Sequence, residues 1–396
     1  MSTQFFGELQ EHSTAKLTIL NNYVIPWMRK IVLNPWGSSN GCLIIDGFAG
    51  QGKYEDDGSD GSPLILLRNA IDFCRQAEER NWPPPKILLI FNEYSSDNYE
   101  VLKENIKEFC GLEFVEDEVG FTSVPSYPSV EVACLNETFE QALTSLLKQV
   151  GPSQTLIPSF CFIDPFGFSA TPFEIIKRYL KNESAEILLN FIYEETNRFI
   201  KHSNPKIQEH MSKHFGVTDL QELKDLIGDN TGGERKKIIV DYYSRQLTEN
   251  AGVNHVLNFE IKKNGRTKLI LFHATKNKHG LKLMKKVMWG VDETGSYLFD
   301  DKKNPEQIEF LFAKEVDEIS LTEQLAGQIY EHFKGKKNVT EDIVHDFVLF
   351  NTDFPIEVFM NNSLKFLKKQ GKIDNVRKRD GSKYRHGFSN VYIDFK

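Results

Sequence analysis

The sequence predicts an α/β fold built on a mostly parallel sheet, and three observations predict it. Short apolar runs alternate with helical patterns, the runs end in polar or acidic residues, and the first is followed at once by a glycine-rich turn. Strands covered on both faces have no polar side to show, so they read as unbroken apolar runs rather than as alternation. Ligands of such sheets bind outside the carboxyl ends of the strands.

The elements follow in order. Leu17, Leu20, Tyr23, Val24, Trp27 and Met28 form a helical stripe from Thr14 to Arg29, closed by a loop at Asn34-Pro-Trp-Gly37. Cys42 to Asp46 reads as a buried strand entering the turn Gly47-Phe-Ala-Gly-Gln-Gly52. A helix starts at Ser62-Pro63, where proline is tolerated in the first turn. Strands at Lys86 to Phe91, Glu131 to Leu135, Ser159 to Ile163 and Glu186 to Ile192 repeat the pattern, with helices between them. Residues 197–250 read as an inserted helical cap, and Lys268 to Thr275 returns to a strand, followed by a helix from Gly280 to Met288.

The boundary is expected near Pro305, giving a domain at 1–305 and a second at 306–396. In the second, helical patterns near 321–333, 340–350 and 355–370 precede two candidate strands around Asp380-Gly381, with a basic run from Arg377 to Arg385. Three helices and a basic hairpin resemble a winged helix, a relative of helix-turn-helix modules.

A chain of 396 residues allows two or three domains. No window holds the ~18 to 20 apolar residues of a membrane span, and Met1 to Glu8 lacks signal-peptide character, so a soluble cytoplasmic protein is expected. Cys42, Cys74, Cys110, Cys134 and Cys161 are scattered, with no C-x-x-C pair, which argues against a metal site or a disulfide framework. The net charge of −8 disfavours indiscriminate nucleic-acid coating. It hides a local contrast, because no acidic residue falls between Lys262 and Trp289 and the last 66 residues carry 13 basic against 9 acidic side chains.

In Asp46 to Gly52 the glycines let the backbone turn sharply and approach a ligand, while a strand-end carboxylate can hold an amino or hydroxyl group. Glu93 stands where a ribose-binding acid belongs. Neither G-x-G-x-x-G nor a phosphate-binding G-x-x-x-x-G-K-S/T is present, which disfavours nicotinamide and ATP. The arrangement resembles the S-adenosylmethionine site of a Rossmann-like methyltransferase. Asp46, Phe48, Gly50, Gly52, Glu93 and Asn136 are the expected cofactor-binding residues.

Asp164-Pro-Phe-Gly167 ends the fourth strand, where amino-methyltransferases carry an Asp, Asn or Ser, two prolines and an aromatic. There a side-chain oxygen and a proline carbonyl accept the N–H bonds of a base amine while a ring stacks on the base. Asp164, Pro165 and Phe166 are the expected catalytic residues, although phenylalanine replaces the second proline. His12, Lys16 and Tyr23 share a face of the leading helix and could line the cofactor mouth. His273 and His279 could grip phosphate, Phe272 and Trp289 could stack on bases, and Lys282, Lys285 and Lys286 could meet phosphates.

Several motifs together resemble the three-Cys-motif partner proteins (TcmP). They are His12 to Tyr23, Asp46 to Tyr54 with Gly61 to Leu64, Phe162 to Gly167, and Phe272 to Gly280 with Met284 to Trp289, within residues 10–295. The resemblance implies a methyltransferase-like domain and a protein partner that bears the three cysteines. The expected function is an S-adenosylmethionine-dependent methyltransferase acting on DNA or RNA, on a base amine. The alternative is a non-catalytic nucleic-acid-binding partner of a three-cysteine-motif protein. A metal-dependent nuclease would need clustered carboxylates that the sequence does not show.

Overall fold

The computed structural model describes residues 11–33, 41–54, 58–114, 120–150, 155–292, 297–300 and 314–396. The loop read at Asn34 to Gly37 and the boundary read near Pro305 lie outside them. Two compact units divide between Leu283 and Met284.

In the first unit, helix α1 (Glu11–Val32) buries Leu17, Leu20, Tyr23, Val24, Trp27 and Met28, the stripe that its sequence spacing predicts. Strand β1 (Gly41–Asp46) is buried at every position, as a central parallel strand must be. Then come α2 (Ser62–Glu79), with Pro63 in its first turn, and β2 (Lys86–Asn92). Helix α3 (Ser96–Cys110) is capped by the Ser95 side chain, which accepts from the Asn98 N–H. Strands β3 (Thr122–Val124) and β4 (Tyr127–Leu135) lead to α4 (Phe139–Gln149). Its capping box joins Thr138 and Gln141.

Strand β5 (Ser159–Ile163), α5 (Phe173–Leu180) and β6 (Ala185–Phe191) continue the alternation. Four helices follow: α6 (Tyr193–Phe199), α7 (Pro205–Phe215), α8 (Gln221–Ile227) and α9 (Gly232–Arg245). They bury Phe215, Leu223, Ile239 and Tyr243 in the core beside Phe191 of β6. Strands β7 (His255–Lys263) and β8 (Arg266–Thr275) form a hairpin, and α10 (Lys278–Trp289) contains the division between the units.

Within the first unit the strand order is β3-β4-β2-β1-β5-β6-β8-β7. Strands β4, β2, β1, β5 and β6 are parallel, β8 runs antiparallel to β6, and β7 antiparallel to β8. The chain builds outward from β1 through β2 to β4, then crosses back to β5 on the other side of β1. The order therefore reverses between β1 and β5, and in open sheets of this kind the crevice that takes ligands lies there, at the carboxyl ends.

Sequence reading missed β7, because polar and charged residues interrupt its apolar ones at every second position and it has no apolar run to betray it. The signals were the alternation of Leu257, Phe259 and Ile261 with polar residues and the turn: Asn264 and Gly265 both take positive φ, 56° and 75°, which a two-residue hairpin of this twist requires.

The second unit contains β9 (Leu298–Asp300), α11 (Lys314–Phe333), β10 (Val339–Thr340), α12 (Glu341–Asn351), α13 (Ile356–Lys369), β11 (Ile373–Lys378) and β12 (Val391–Phe395). Three of its strands pair antiparallel in the order β10-β12-β11. Leu325, Ile329, Val344, Val348, Leu364 and Leu367 fill the space among its helices, and the β11–β12 loop carries Lys383 and Arg385 exposed.

All five cysteines are free thiols; Cys42, Cys74, Cys134 and Cys161 are buried, and Cys110 is partly so. Burial pushes every one of their pKa values up. Among the described residues no helix is long and apolar enough to cross a membrane.

Candidate functional site

The carboxyl ends of β1, β2, β5 and β6 bring the two sets of sequence-predicted site residues together. Asp46 closes β1 with no solvent exposure. Its Oδ1 accepts from the Phe48 N–H at 3.2 Å, while its Oδ2 has no hydrogen-bond partner among the described residues. Burial raises its pKa to about 7, against the opposing pull of Ser62 and the Phe48 N–H, and the nearby charges of Asp164 and Glu93 add to the rise.

The turn after Asp46 is tied across the crevice. The Gly47 N–H donates to Phe162 O at 2.9 Å on β5, and the Ala49 N–H to Asn92 O at 2.9 Å on β2. Gly50 and Gly52 take φ of 60° and 86°, a left-handed region that side chains resist. Phe48 stacks on Phe139, ring centroids 5.2 Å apart, which places the aromatic of the turn against the start of α4.

Glu93 is buried and serves the turn directly. Its Oε2 accepts from the Gly50 N–H at 2.9 Å and its Oε1 from the Ser95 N–H at 2.8 Å. Asn136 donates from Nδ2 to the carbonyls of Glu93 and Tyr94, at 2.8 and 2.9 Å, and accepts from the Ser96 hydroxyl at 3.0 Å. It thus braces the loop that carries Glu93. Between the two lies Tyr94, 72% exposed, which sequence reading passed over although it follows Glu93 directly.

At the end of β5 both oxygens of Asp164 are engaged. Lys16 Nζ donates to Oδ2 at 2.5 Å and Asn190 Nδ2 to Oδ1 at 2.6 Å. Burial alone would depress the lysine, but Asp164, helped by Tyr54 and Asp46, outweighs it and raises its pKa. Phe166 is 62% exposed, an unusual state for so large an apolar ring. Gly167 lies against the Glu195 carboxylate. Asn190 was missed in the sequence, where the signal was one amide in the otherwise apolar run Ile187 to Ile192.

Other sequence-predicted residues lie elsewhere. The His12 side chain is outside those described. Tyr23 is fully buried and donates to Glu186 Oε2 at 2.5 Å, with His273 Nε2 3.2 Å from its hydroxyl. Glu186 and His273 sit at the amino end of β6 and on its neighbour β8, the opposite edge from Asp46. The expectation that His273 grips phosphate is therefore corrected: it is fully buried, with its Nε2 beside Tyr23 and Glu186.

Phe272 has no exposure and packs on Phe191 and Tyr243, and Trp289 is buried against Phe354 and Phe359. Neither can stack on a base. Lys285 is 2% exposed and donates to the carbonyls of Val348 at 3.0 Å and Leu349 at 2.9 Å, and to that of Thr352, at the end of α12. It cannot meet phosphate, whereas Lys286 is exposed. Among the described residues no three His, Cys, Asp or Glu are grouped to hold a metal ion.

Four buried acceptor oxygens at this edge lack a partner among the described residues: Asp46 Oδ2, Asn92 Oδ1, Asn190 Oδ1 and Glu137 Oε2. Buried polar atoms without a partner are rare in folded proteins. These end β1, stand on β2 and β6, and follow β4, so the edge is short of hydrogen-bond donors.

Fold and edge together define an open, doubly wound sheet in which β3 and β8 run against the parallel strands, with unpartnered acceptor oxygens at the carboxyl ends around its switch point. No family model matches the sequence, and no curated protein matches it. Among solved structures, the chain is similar to Trm1 from Pyrococcus horikoshii in complex with S-adenosyl-L-methionine, at 12% identity and a TM-score of 0.34, over 68% of this chain and 58% of that one. It therefore spans less than two thirds of Trm1. It is also similar to the O-methyltransferase TomG from Streptomyces achromogenes, in complex with the same compound, at 11% identity and a TM-score of 0.32, over 70% and 94% of the two chains. The methyltransferase domain of METTL16 is similar at 13% identity and a TM-score of 0.27, over 65% and 83%.

Proposed function

We propose that the crevice binds S-adenosylmethionine and that the protein transfers the methyl group to an exocyclic amine of a nucleic-acid base. The observation that carries this reading is the set of buried, unpartnered acceptor oxygens around Asp46. An ammonium group, ribose hydroxyls and an adenine amino group are the donors such an edge is missing. Asp46 would face the ammonium, Glu93 the ribose through its remaining lone pairs, and Gly50 and Gly52 would let the backbone close on the ligand. Phe48, Asn136 and Tyr94 would shape the adenine end.

When bound, the cofactor supplies an electrophilic methyl group on a positively charged sulfur. The protein's part is positioning. Asp164 and the Pro165 carbonyl would accept the two N–H bonds of the acceptor amine, and the exposed Phe166 ring would stack on the base. The three helices, the three-stranded antiparallel sheet and the basic β11–β12 loop of the second unit support a winged-helix reading of that unit. Lys365 and Lys369 on α13, with Lys383 and Arg385 on the loop, would meet phosphates of DNA or RNA.

One observation favours a second reading. Asp164 is already held by Lys16 and Asn190, as it would be in a binding protein that does not catalyse. In that case the chain would act on nucleic acid with a partner bearing a three-cysteine motif, a partner that only the sequence resemblance supports.

Calorimetric titration with S-adenosylmethionine tests the first reading. Saturable binding that Asp46→Ala abolishes is expected. With tritiated methyl donor and mixed DNA and RNA as acceptors, Asp164→Ala should lose transfer while it keeps binding. Transfer undiminished in Asp164→Ala would remove the catalytic role of that residue, and a folded protein that binds no cofactor would remove the reading.

A further inference from the structure

Lys16 brings a cation into the crevice. It stands on α1, yet its ammonium reaches the carboxyl end of β5, 2.5 Å from Asp164 Oδ2, and lies close enough to Asp46 at the end of β1 to feel that charge. Those two strands flank the point where the strand order reverses. Its side chain is 11% exposed and that of Asp164 is 19% exposed. Electrostatic effects between them, and on anything bound beside them, are therefore only weakly screened. The charged or titratable groups facing the ammonium are Asp164, Tyr54 and Asp46, with Glu93 behind Asp46.

A methyl donor and its spent product differ in one formal charge at sulfur. The donor is a sulfonium cation and the product, S-adenosylhomocysteine, is a neutral thioether. Apart from the methyl group itself the two molecules are the same, so a pocket can tell them apart by the field at the sulfur. We propose that Lys16 is a specificity-determining residue of this crevice. By neutralising Asp164 it removes a counter-ion the sulfonium would otherwise have, and it sets the balance of affinity between donor and product. The inference rests on the proposed cofactor, and goes beyond it by giving a role to a residue outside the strand-end motifs.

The test is a double-mutant cycle read as a ratio of dissociation constants, product over donor, measured by calorimetry with S-adenosylmethionine and S-adenosylhomocysteine. Lys16→Met leaves Asp164 unpaired and should raise the ratio in favour of the donor by roughly tenfold, the scale of one partly screened charge within several ångströms. Asp164→Asn leaves Lys16 unpaired and should move the ratio the other way. The double variant should return near the wild type. Lys16→Arg, which keeps the charge, should also match the wild type.

A merely structural ion pair would weaken both ligands alike and leave the ratio fixed. Thermal melts identify variants that fail to fold. If Lys16→Met is one of them, Asp164→Asn and the charge-balanced double variant still decide. Unchanged ratios in folded variants overturn the inference and leave the cofactor reading standing. Wild-type protein that binds neither ligand overturns the cofactor reading itself.

Discussion

Asp46 is a carboxylic acid held out of water with half of its acceptors unused. A group raised from an ordinary carboxylate value to about 7 by burial weakens the fold as pH rises. Below about pH 4 it is protonated in both folded and unfolded chains and costs nothing. Between about pH 4 and 7 the unfolded chain ionises and the folded one resists, and above about 7 the whole cost is present. Asp46→Asn should therefore melt with the wild type near pH 4 and above it at pH 8. The gain should reach as much as ~4 kcal/mol, because each pH unit by which a titration is displaced is worth ~1.4 kcal/mol. The same variant should lose cofactor binding. Thermal melts across pH, paired with calorimetry, check both. The strand-end positions of Asp46 and Glu93 were legible in the sequence because Asp46 follows an apolar run directly and Glu93 stands one residue past another. Lys16 could be seen only as one residue on a helix face, since nothing in a sequence shows that α1 delivers its ammonium to a strand end far along the chain.

Among the elements, α12 ends on carbonyls that a lysine from α10 satisfies. Burial lowers the Lys285 pKa to about 8, with Asp353 pulling against it, so the side chain has been taken out of water to do this. Lys285→Met should destabilise the second unit by about 1–3 kcal/mol, because the carbonyls lose a charged donor. Lys286→Met, on the exposed side of the same helix, should change stability by no more than ~0.5 kcal/mol. Denaturant titration of both variants gives the comparison. The sequence showed a run of basic residues here and could not sort them, because facing in or out depends on what packs against α10. The strands of the parallel sheet were legible for the opposite reason, since burial on both faces writes itself as an apolar run. Strand β7 carries charges and shows itself by alternation at Leu257, Phe259 and Ile261 and by the Asn264-Gly265 turn, not by an apolar run.

For the molecule as a whole, the proposed binding of nucleic acid would have to combine an acidic net charge of −8 with locally basic surface. If α13 and the β11–β12 loop meet phosphates, replacing Lys365, Lys369, Lys383 and Arg385 by alanine should weaken binding across sequences alike. It should also flatten the logarithmic salt dependence by about 0.9 for each duplex phosphate that is no longer neutralised. Filter binding of a mixed-sequence duplex over a range of salt reads the slope, and an unchanged slope would place the nucleic acid on another surface. The two compact units divide inside a helix whose sequence pattern runs on unbroken, so that position leaves no mark in the sequence. The buried thiols carry a consequence of another kind. Cys42, Cys161 and Cys134 lie on β1, β5 and β4, each protonated and out of reach while the sheet is closed. Oxidants and alkylating agents in the surroundings can leave the crevice untouched, and any mark they make on these three positions records that the sheet has come open.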